Sequence, residues 1–361
     1  MKAAYQAPVW LPGGQLQTIG PALWARRVTG PTIRYRRERW DTPDGDFVDV
    51  DWLDNAAPAA AAATETATGP AAKAAPVNPP GAGASRSSQP LLVLFHGLEG
   101  SSRSHYAEAL ADWARAQGVA FAVPHFRGCS GTINRAPRAY HCGDFAEIGW
   151  LLQRFHAAQQ ARGGGPVLAV GVSLGGNALL RWAGEAGAEA ARTVQAVAGV
   201  CAPLDMAASG HAIGRGFNRQ VYTRMFLRTM KAKARAKLAQ YPGLFNARRL
   251  AAARDLYEFD DLFTAPLHGF AGVDDYWRCG SAKPHLGAVR VPALVLNARN
   301  DPFVPAASLP RADEVSRHVT LWQPAQGGHV GFAEGRWPPG DVHWMPRAVG
   351  GWLLAAAGLG A

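Results

Sequence analysis

The sequence predicts an α/β fold, with a mostly parallel central sheet, helices on both faces and a helical cap inserted late in the chain. Three observations carry this. After Pro90, short apolar runs alternate with helix-length amphipathic segments. The alternation lapses from about Asp205 to His285 and then resumes. Apolar residues make up 48% of the 361 positions, enough to bury a large core and too many for wholesale disorder.

The elements follow in chain order. Residues 1–30 contain LPGGQLQTI and show no usable period. Two strand-like runs, Thr32–Trp40 and Phe47–Leu53, are joined by the turn signal TPDGD. Asn55–Ser88 is rich in Ala, Pro, Gly and Thr and lacks large apolar groups, so it reads as a loop inserted between strands. Leu91–Phe95 is a continuous apolar run, as a buried parallel strand should be. Helix Ser104–Gln117, strand Ala120–Phe126, helix Cys142–Gln160, strand Val167–Val172, helix Asn177–Ala186 and strand Val194–Val200 follow. Beyond the cap come strand Ala293–Leu296, a helix near Ala306–Val315, strand Val319–Trp322 and a helix ending near Leu354. The core is therefore expected from residues 1–53, 90–204 and 286–361, with 54–89 a loop insertion and 205–285 the cap.

Composition excludes several classes. No run of about 18 apolar residues offers a membrane-spanning helix, and the N-terminal residues have no apolar core of a secretory signal. Cys129, Cys142, Cys201 and Cys279 are scattered, with no CxxC pair, so neither a zinc site nor a disulfide framework is expected and a cytoplasmic setting is the default. The chain carries 37 Lys+Arg against 27 Asp+Glu, a net charge of +10, which favours acidic partners. No nucleic-acid module or basic–aromatic stripe accompanies it, so nucleic acid is not expected as a partner. The sharpest basic cluster, RMFLRTMKAKARAK at 224–237, reads as a helix. Its apolar stripe is Leu227, Met230, Ala234 and Leu238, and its charged stripe is Arg224, Arg228, Lys231 and Arg235. That charged stripe is either a solvated lid face or a peripheral contact with an anionic membrane.

Chemistry enters at Gly171-Val172-Ser173-Leu174-Gly175, a GxSxG motif where a buried strand meets a helix. The glycines permit a sharp turn that lifts the Ser173 hydroxyl out of the sheet beside a helix N-terminus. A serine needs a base, and on this scaffold the chain order is Ser, acid, His. Asp301 falls just past strand Ala293–Leu296, and His329 falls in the GG-containing loop after Val319–Trp322. Both loops open on the edge that carries Ser173. Asp205, after strand Val194–Val200, is the competing acid. His211, His268 and His343 are weaker candidates for the base, and Asp260, Asp261, Asp274 and Asp275 read as parts of the cap. An oxyanion needs two fixed N–H donors. The backbone amides of Leu174, after the nucleophile, and of Leu98, in the HGLEG loop after Leu91–Phe95, are the candidates, with His96 read as a loop-bracing residue.

With these residues in view, FHGLEGSS, PHFRGCSG, GVSLGGN, GVDDYW, NARNDPFVP and GGHVGF in series resemble the YheT-like hydrolases of the α/β-hydrolase superfamily. The resemblance covers roughly residues 8–53 and 90–355. It implies an α/β-hydrolase fold, hydrolysis of carboxylic esters of short-chain or lipid type, and Ser173, Asp301 and His329 as the triad. Family members are associated with short-chain esters, monoacylglycerols, phospholipids or acyl transfer to alcohols. Asn55–Ser88 has no counterpart in the pattern, and PHFRGCSG is a family marker without an assigned physical role, beyond the expectation that Arg127 ties a loop beside the pocket.

The expected activity is a serine hydrolase acting through an acyl-enzyme, with no cofactor or metal. An acyltransferase using the same triad, or a non-catalytic protein of the same fold, are the alternatives. Phe217, Tyr222, Met225 and Phe226 either line an acyl pocket or pack as cap core.

Overall fold

Strands β1 (Tyr35–Asp41), β2 (Phe47–Leu53), β3 (Leu91–Phe95), β4 (Ala120–Pro124), β5 (Val167–Val172), β6 (Ala196–Val200), β7 (Ala293–Leu296) and β8 (Val319–Trp322) form one sheet. Its order is β1-β2-β4-β3-β5-β6-β7-β8. β1 and β2 are antiparallel, β2 joins β4 antiparallel, and every later pairing is parallel. The structure, a computed structural model, describes residues 5–54 and 89–360. The expected loop at 55–88 lies outside them.

Period-two alternation divides the strands between two cores. Leu91, Val93 and Phe95 pack with α3 (Phe145–Ala161) and α4 (Leu174–Ala186) on one face. Leu92 and Leu94 pack with α2 (His105–Ala116) and the C-terminal helix Trp344–Ala356 on the other. The central parallel strands β3, β5 and β6 are buried on both faces, which is why they read as unbroken apolar runs. Between β6 and β7 the chain builds helices, including the short Met206–Ile213 and Val273–Gly280 and the 17-residue Arg224–Gln240, where the cap was expected. Among the described residues no helix is long and apolar enough to cross a membrane.

Three expectations change. The N-terminal segment is not irregular, because Gly13–Trp24 forms a helix, α1, with Pro21 inside it. The helix expected near Ala306–Val315 is reduced to two three-residue 3₁₀ turns, Ala306–Ser308 and Ala312–Glu314. Pro310 stands between them and would break an α-helix. Helix α4 begins at Leu174, directly after Ser173, rather than at Asn177.

The PHFRGCSG segment gains a physical role. Arg127 is nearly fully buried and its guanidinium reaches Glu147 (2.5 Å), Asp44 (2.8 Å) and Asp46 (2.9 Å). Asp46 also accepts from the Asn134 amide and the Arg135 N–H. One cation thus holds the 127–135 loop against the β1–β2 turn and α3. Removing it strands buried carboxylates without a counter-charge, which costs about 3–5 kcal/mol. We therefore expect Arg127→Met to lower the unfolding free energy by about that amount in urea denaturation. Arg127→Lys should restore only part of the loss, since an ammonium cannot span the same fork of acceptors.

Candidate active site

The turn between β5 and α4 is forced by close backbone approach. A Cβ on Gly171 would fall 2.3 Å from the Gly175 carbonyl oxygen, and one on Gly175 would fall 2.3 Å from that of Phe95. With those contacts fixed, Ser173 adopts φ +54°, a conformation that costs a non-glycine residue about 1–3 kcal/mol. The strain is held by the Ser173 N–H donating to Val200 O (2.8 Å) and by Ser173 O accepting from Asn177 N–H (3.1 Å). The hydroxyl stands at the C-terminal end of the sheet, where open sheets of this kind present their ligand sites.

His329 and Asp301 meet it there. The Ser173 Oγ lies 2.9 Å from His329 Nε2, and His329 Nδ1 lies 2.8 Å from Asp301 Oδ2. With the carboxylate as acceptor, Nδ1 carries the ring proton and Nε2 is left to accept from the serine. Asp301 is held by its own turn, because Oδ1 accepts from Phe303 N–H (2.8 Å) and Val304 N–H (3.3 Å). The Phe303 ring packs on the imidazole at 4.2 Å between centroids.

The HGLEG loop lies directly beside the serine, for a Cβ on Gly97 would sit 3.2 Å from Ser173 Cβ. Its amides are mostly committed. Gly97 N–H donates to the Tyr106 hydroxyl, Glu99 N–H to the Tyr140 hydroxyl, and Gly100 N–H to Gly97 O. The Leu98 N–H between them has no acceptor among the described residues. Leu174 opens α4, so its N–H has no acceptor within the helix either. His96 braces the loop, its Nδ1 bonded to Gly97 O and its Nε2 accepting from Phe126 N–H. Burial pushes its pKa down to about 3, so the ring is neutral.

The competing candidates are engaged elsewhere. Asp205 caps the Met206–Ile213 helix through Ala208 N–H. His211 packs between Tyr257 and Trp277, His268 packs on His141, and half-buried His343 precedes the C-terminal helix. Asp260 accepts from Trp277 Nε1 and the Thr264 hydroxyl, Asp261 from Val273 N–H, Asp274 from the Tyr257 hydroxyl, and Asp275 pairs with Arg278. Tyr222, Met225 and Phe226 do line a groove that opens on Ser173, whereas Phe217 is exposed at its edge. Ser173 also borders a smaller apolar space walled by Leu98, Leu174, Met206, Ile213 and Phe303.

Sequence reasoning missed the residues that hold the histidine loop. Gln17, 1% exposed, accepts at Oε1 from Gly327 N–H (2.9 Å) and from Asn300 Nδ2 (2.8 Å), and its Nε2 donates to Leu11 O. It thereby joins the acid loop to the base loop. Thr18 Oγ1 accepts from His329 N–H (2.9 Å). Pro21 cannot donate to the Gln17 carbonyl four residues earlier, and the base loop packs against that carbonyl: a Cβ on Gly331 would fall 1.7 Å from its oxygen. Cys201 lies beneath, its Sγ accepting from Val330 N–H. The potential ligand atoms of Cys201, Asp301 and His329 fall within 4.8 Å of one another. Burial, however, pushes the thiol well above its ordinary pKa, and His329 and Asp301 are already bonded to each other, to Ser173 and to the Phe303 and Val304 N–H groups, so the trio suits packing better than a metal.

Comparison with known proteins shows the family. The family described as alpha/beta hydrolase fold matches residues 90–336. The protein named "Putative esterase YheT" from Escherichia coli K12 is 37% identical over 94% of this chain and 89% of its own. The mouse protein named phospholipase ABHD3 is 27% identical over 89% of this chain and 75% of its own. Among solved structures, the Pyrococcus furiosus esterase Pf2001 superposes with a TM-score of 0.50 at 12% identity, over 93% of this chain and 98% of that one, a likeness of fold.

The Gln17 bridge generates a prediction. Gln17→Leu keeps the volume and leaves a buried N–H of Gly327 without its acceptor, a loss of about 1–3 kcal/mol. Urea unfolding should register that loss, and amide exchange should quicken at Gly327 and its neighbours rather than across the sheet.

Proposed function

The chain belongs to the α/β-hydrolase fold family and to its YheT-like branch, and on that premise we propose that it hydrolyses carboxylic esters through Ser173, His329 and Asp301. The observation that carries the reading is the unbroken chain of hydrogen bonds from the Ser173 hydroxyl through the imidazole to a buried carboxylate, at the mouth of an apolar groove.

The proposed sequence of events follows from that geometry. The Ser173 oxygen attacks the ester carbonyl while His329 Nε2 takes the hydroxyl proton. Asp301 holds the ring so that Nε2 faces the serine, and its negative charge stabilises the imidazolium that forms. The N–H groups of Leu98 and Leu174 receive the oxyanion, which is why their lack of an acceptor among the described residues matters. Collapse of the tetrahedral species breaks the bond to the alcohol, which leaves with the proton from His329. Water then repeats the attack on the acyl-serine, giving the proton to His329 and releasing the acid and free Ser173. The groove walls Ile19, Tyr222, Met225 and Phe226 suit an ester with an apolar acyl or alkoxy chain.

Ser173→Ala is expected to fold normally and to lose at least about a thousandfold in ester turnover, since the three groups act as a unit. A fluorophosphonate probe should label the parent at Ser173 and leave this variant unlabelled, as read by intact-protein mass spectrometry. Ester hydrolysis at parental rates by folded Ser173→Ala would end the proposal.

A further inference from the structure

We propose that the rim of the Ser173 groove is a docking surface for a bilayer containing anionic lipid, from which an ester enters the groove without crossing water. The delivery part rests on the ester-hydrolase reading; the docking part stands on surface chemistry alone.

Ten large apolar side chains are markedly exposed among the described residues, and six of them lie on two segments. Leu16, Leu23 and Trp24 belong to α1, and Phe217, Val221 and Met225 recur at four-residue intervals leading into the Arg224–Gln240 helix. The segments are one surface, because the Gln15 side chain donates to Asn218 (2.8 Å) and accepts from the Tyr222 hydroxyl (2.7 Å). Leu23, Val221 and Met225 also wall the groove that ends at Ser173. Exposed apolar groups scattered singly need no explanation, but a cluster around one opening marks an interaction site.

Charge selects the partner. Beside the rim, a cleft is lined by Arg219, Arg224, Arg228, Lys231 and Arg254, with no carboxylate in its walls. The acidic group nearby, Glu258, is held by Arg254. Arg224 and Arg228 stay exposed on the same helix as Met225. Apolar side chains bordered by a cluster of five cations with one acidic neighbour, on a chain of net charge +10, match the interface of an anionic membrane, where the apolar groups enter the acyl boundary and the cations meet headgroup phosphates.

Flotation of the full chain with phosphatidylcholine vesicles, with and without phosphatidylglycerol, tests this. The parent should float with the anionic vesicles and remain below with the neutral ones. Two double variants, Trp24→Ser/Phe217→Ser and Arg224→Glu/Arg228→Glu, should each lose at least about tenfold of the bound fraction while keeping the parental circular dichroism spectrum and melting curve. Ser173→Ala should float as the parent does, so binding is read independently of whether the chain hydrolyses esters. A parent that does not float, equal flotation with both vesicle types, or unchanged binding by either folded double variant would overturn the proposal.

Discussion

The close approach of backbone at Gly171 and Gly175 is the constraint on which the rest of the site depends. It brings the first turn of α4 against β5 and against the end of β3, so Ser173 and the HGLEG loop arrive side by side at Gly97. Neither position tolerates a side chain, because the obstructing atoms are main-chain carbonyls that cannot swing away. The parallel pairing of β3, β5 and β6 fixes those carbonyls in register, and Val200 O at the end of β6 ties down the strained serine. The fold thus positions a reactive group through backbone geometry, and side-chain choice enters only afterwards.

Once the serine is fixed, two loops from β7 and β8 must be brought to it. Each has hydrogen bonds of its own, and both are braced as well from the far end of the sequence. Gln17 spans 310 positions to reach Gly327, while Thr18 holds the His329 N–H and Asn300 bonds both Gln17 and Gly328 N–H. Closing so long a loop carries an entropic cost, but that cost grows only logarithmically with length. The return is alignment of an imidazole with a carboxylate on one side and a hydroxyl on the other.

The difference between what the sequence disclosed and what it concealed follows from this division. β5, GVSLGGN and the loops bearing Asp301 and His329 were legible because each is a local pattern: an apolar run, a turn residue, a polar group at a strand end. α1 was not, since paired glycines and Pro21 erase the helical period that would have revealed it, and the same features let it lie tight against the acid loop at Gly14 and the base loop at the Gln17 carbonyl. Gln17 has no local signature at all; its partners exist only in the folded chain. The prolines at 302, 305 and 310 were readable individually, yet they were outweighed by an expectation of a helix between β7 and β8. The Arg224–Gln240 helix was placed correctly, but its charges divide in a way periodicity does not show, with Lys237 2% exposed and bonded to the carbonyls of Asn134 and Ala136.

That division of charge links the periphery to the loop beside Ser173. Arg127 secures the 127–135 loop to the sheet edge, and Lys237 secures the helix above to that same loop. One turn earlier, Lys233 reaches Glu99 (2.8 Å), whose carboxylate also accepts from the Tyr140 hydroxyl, and that hydroxyl in turn accepts from Glu99 N–H. Glu99 holds a left-handed conformation immediately after Leu98. The direction of the Leu98 amide therefore depends on a series of buried or half-buried ionic contacts that begins at the β1–β2 turn. Cations turned inward set the geometry of the HGLEG loop, whereas Arg224 and Arg228, turned outward on the same helix, remain exposed to solvent and to whatever meets the rim of the groove.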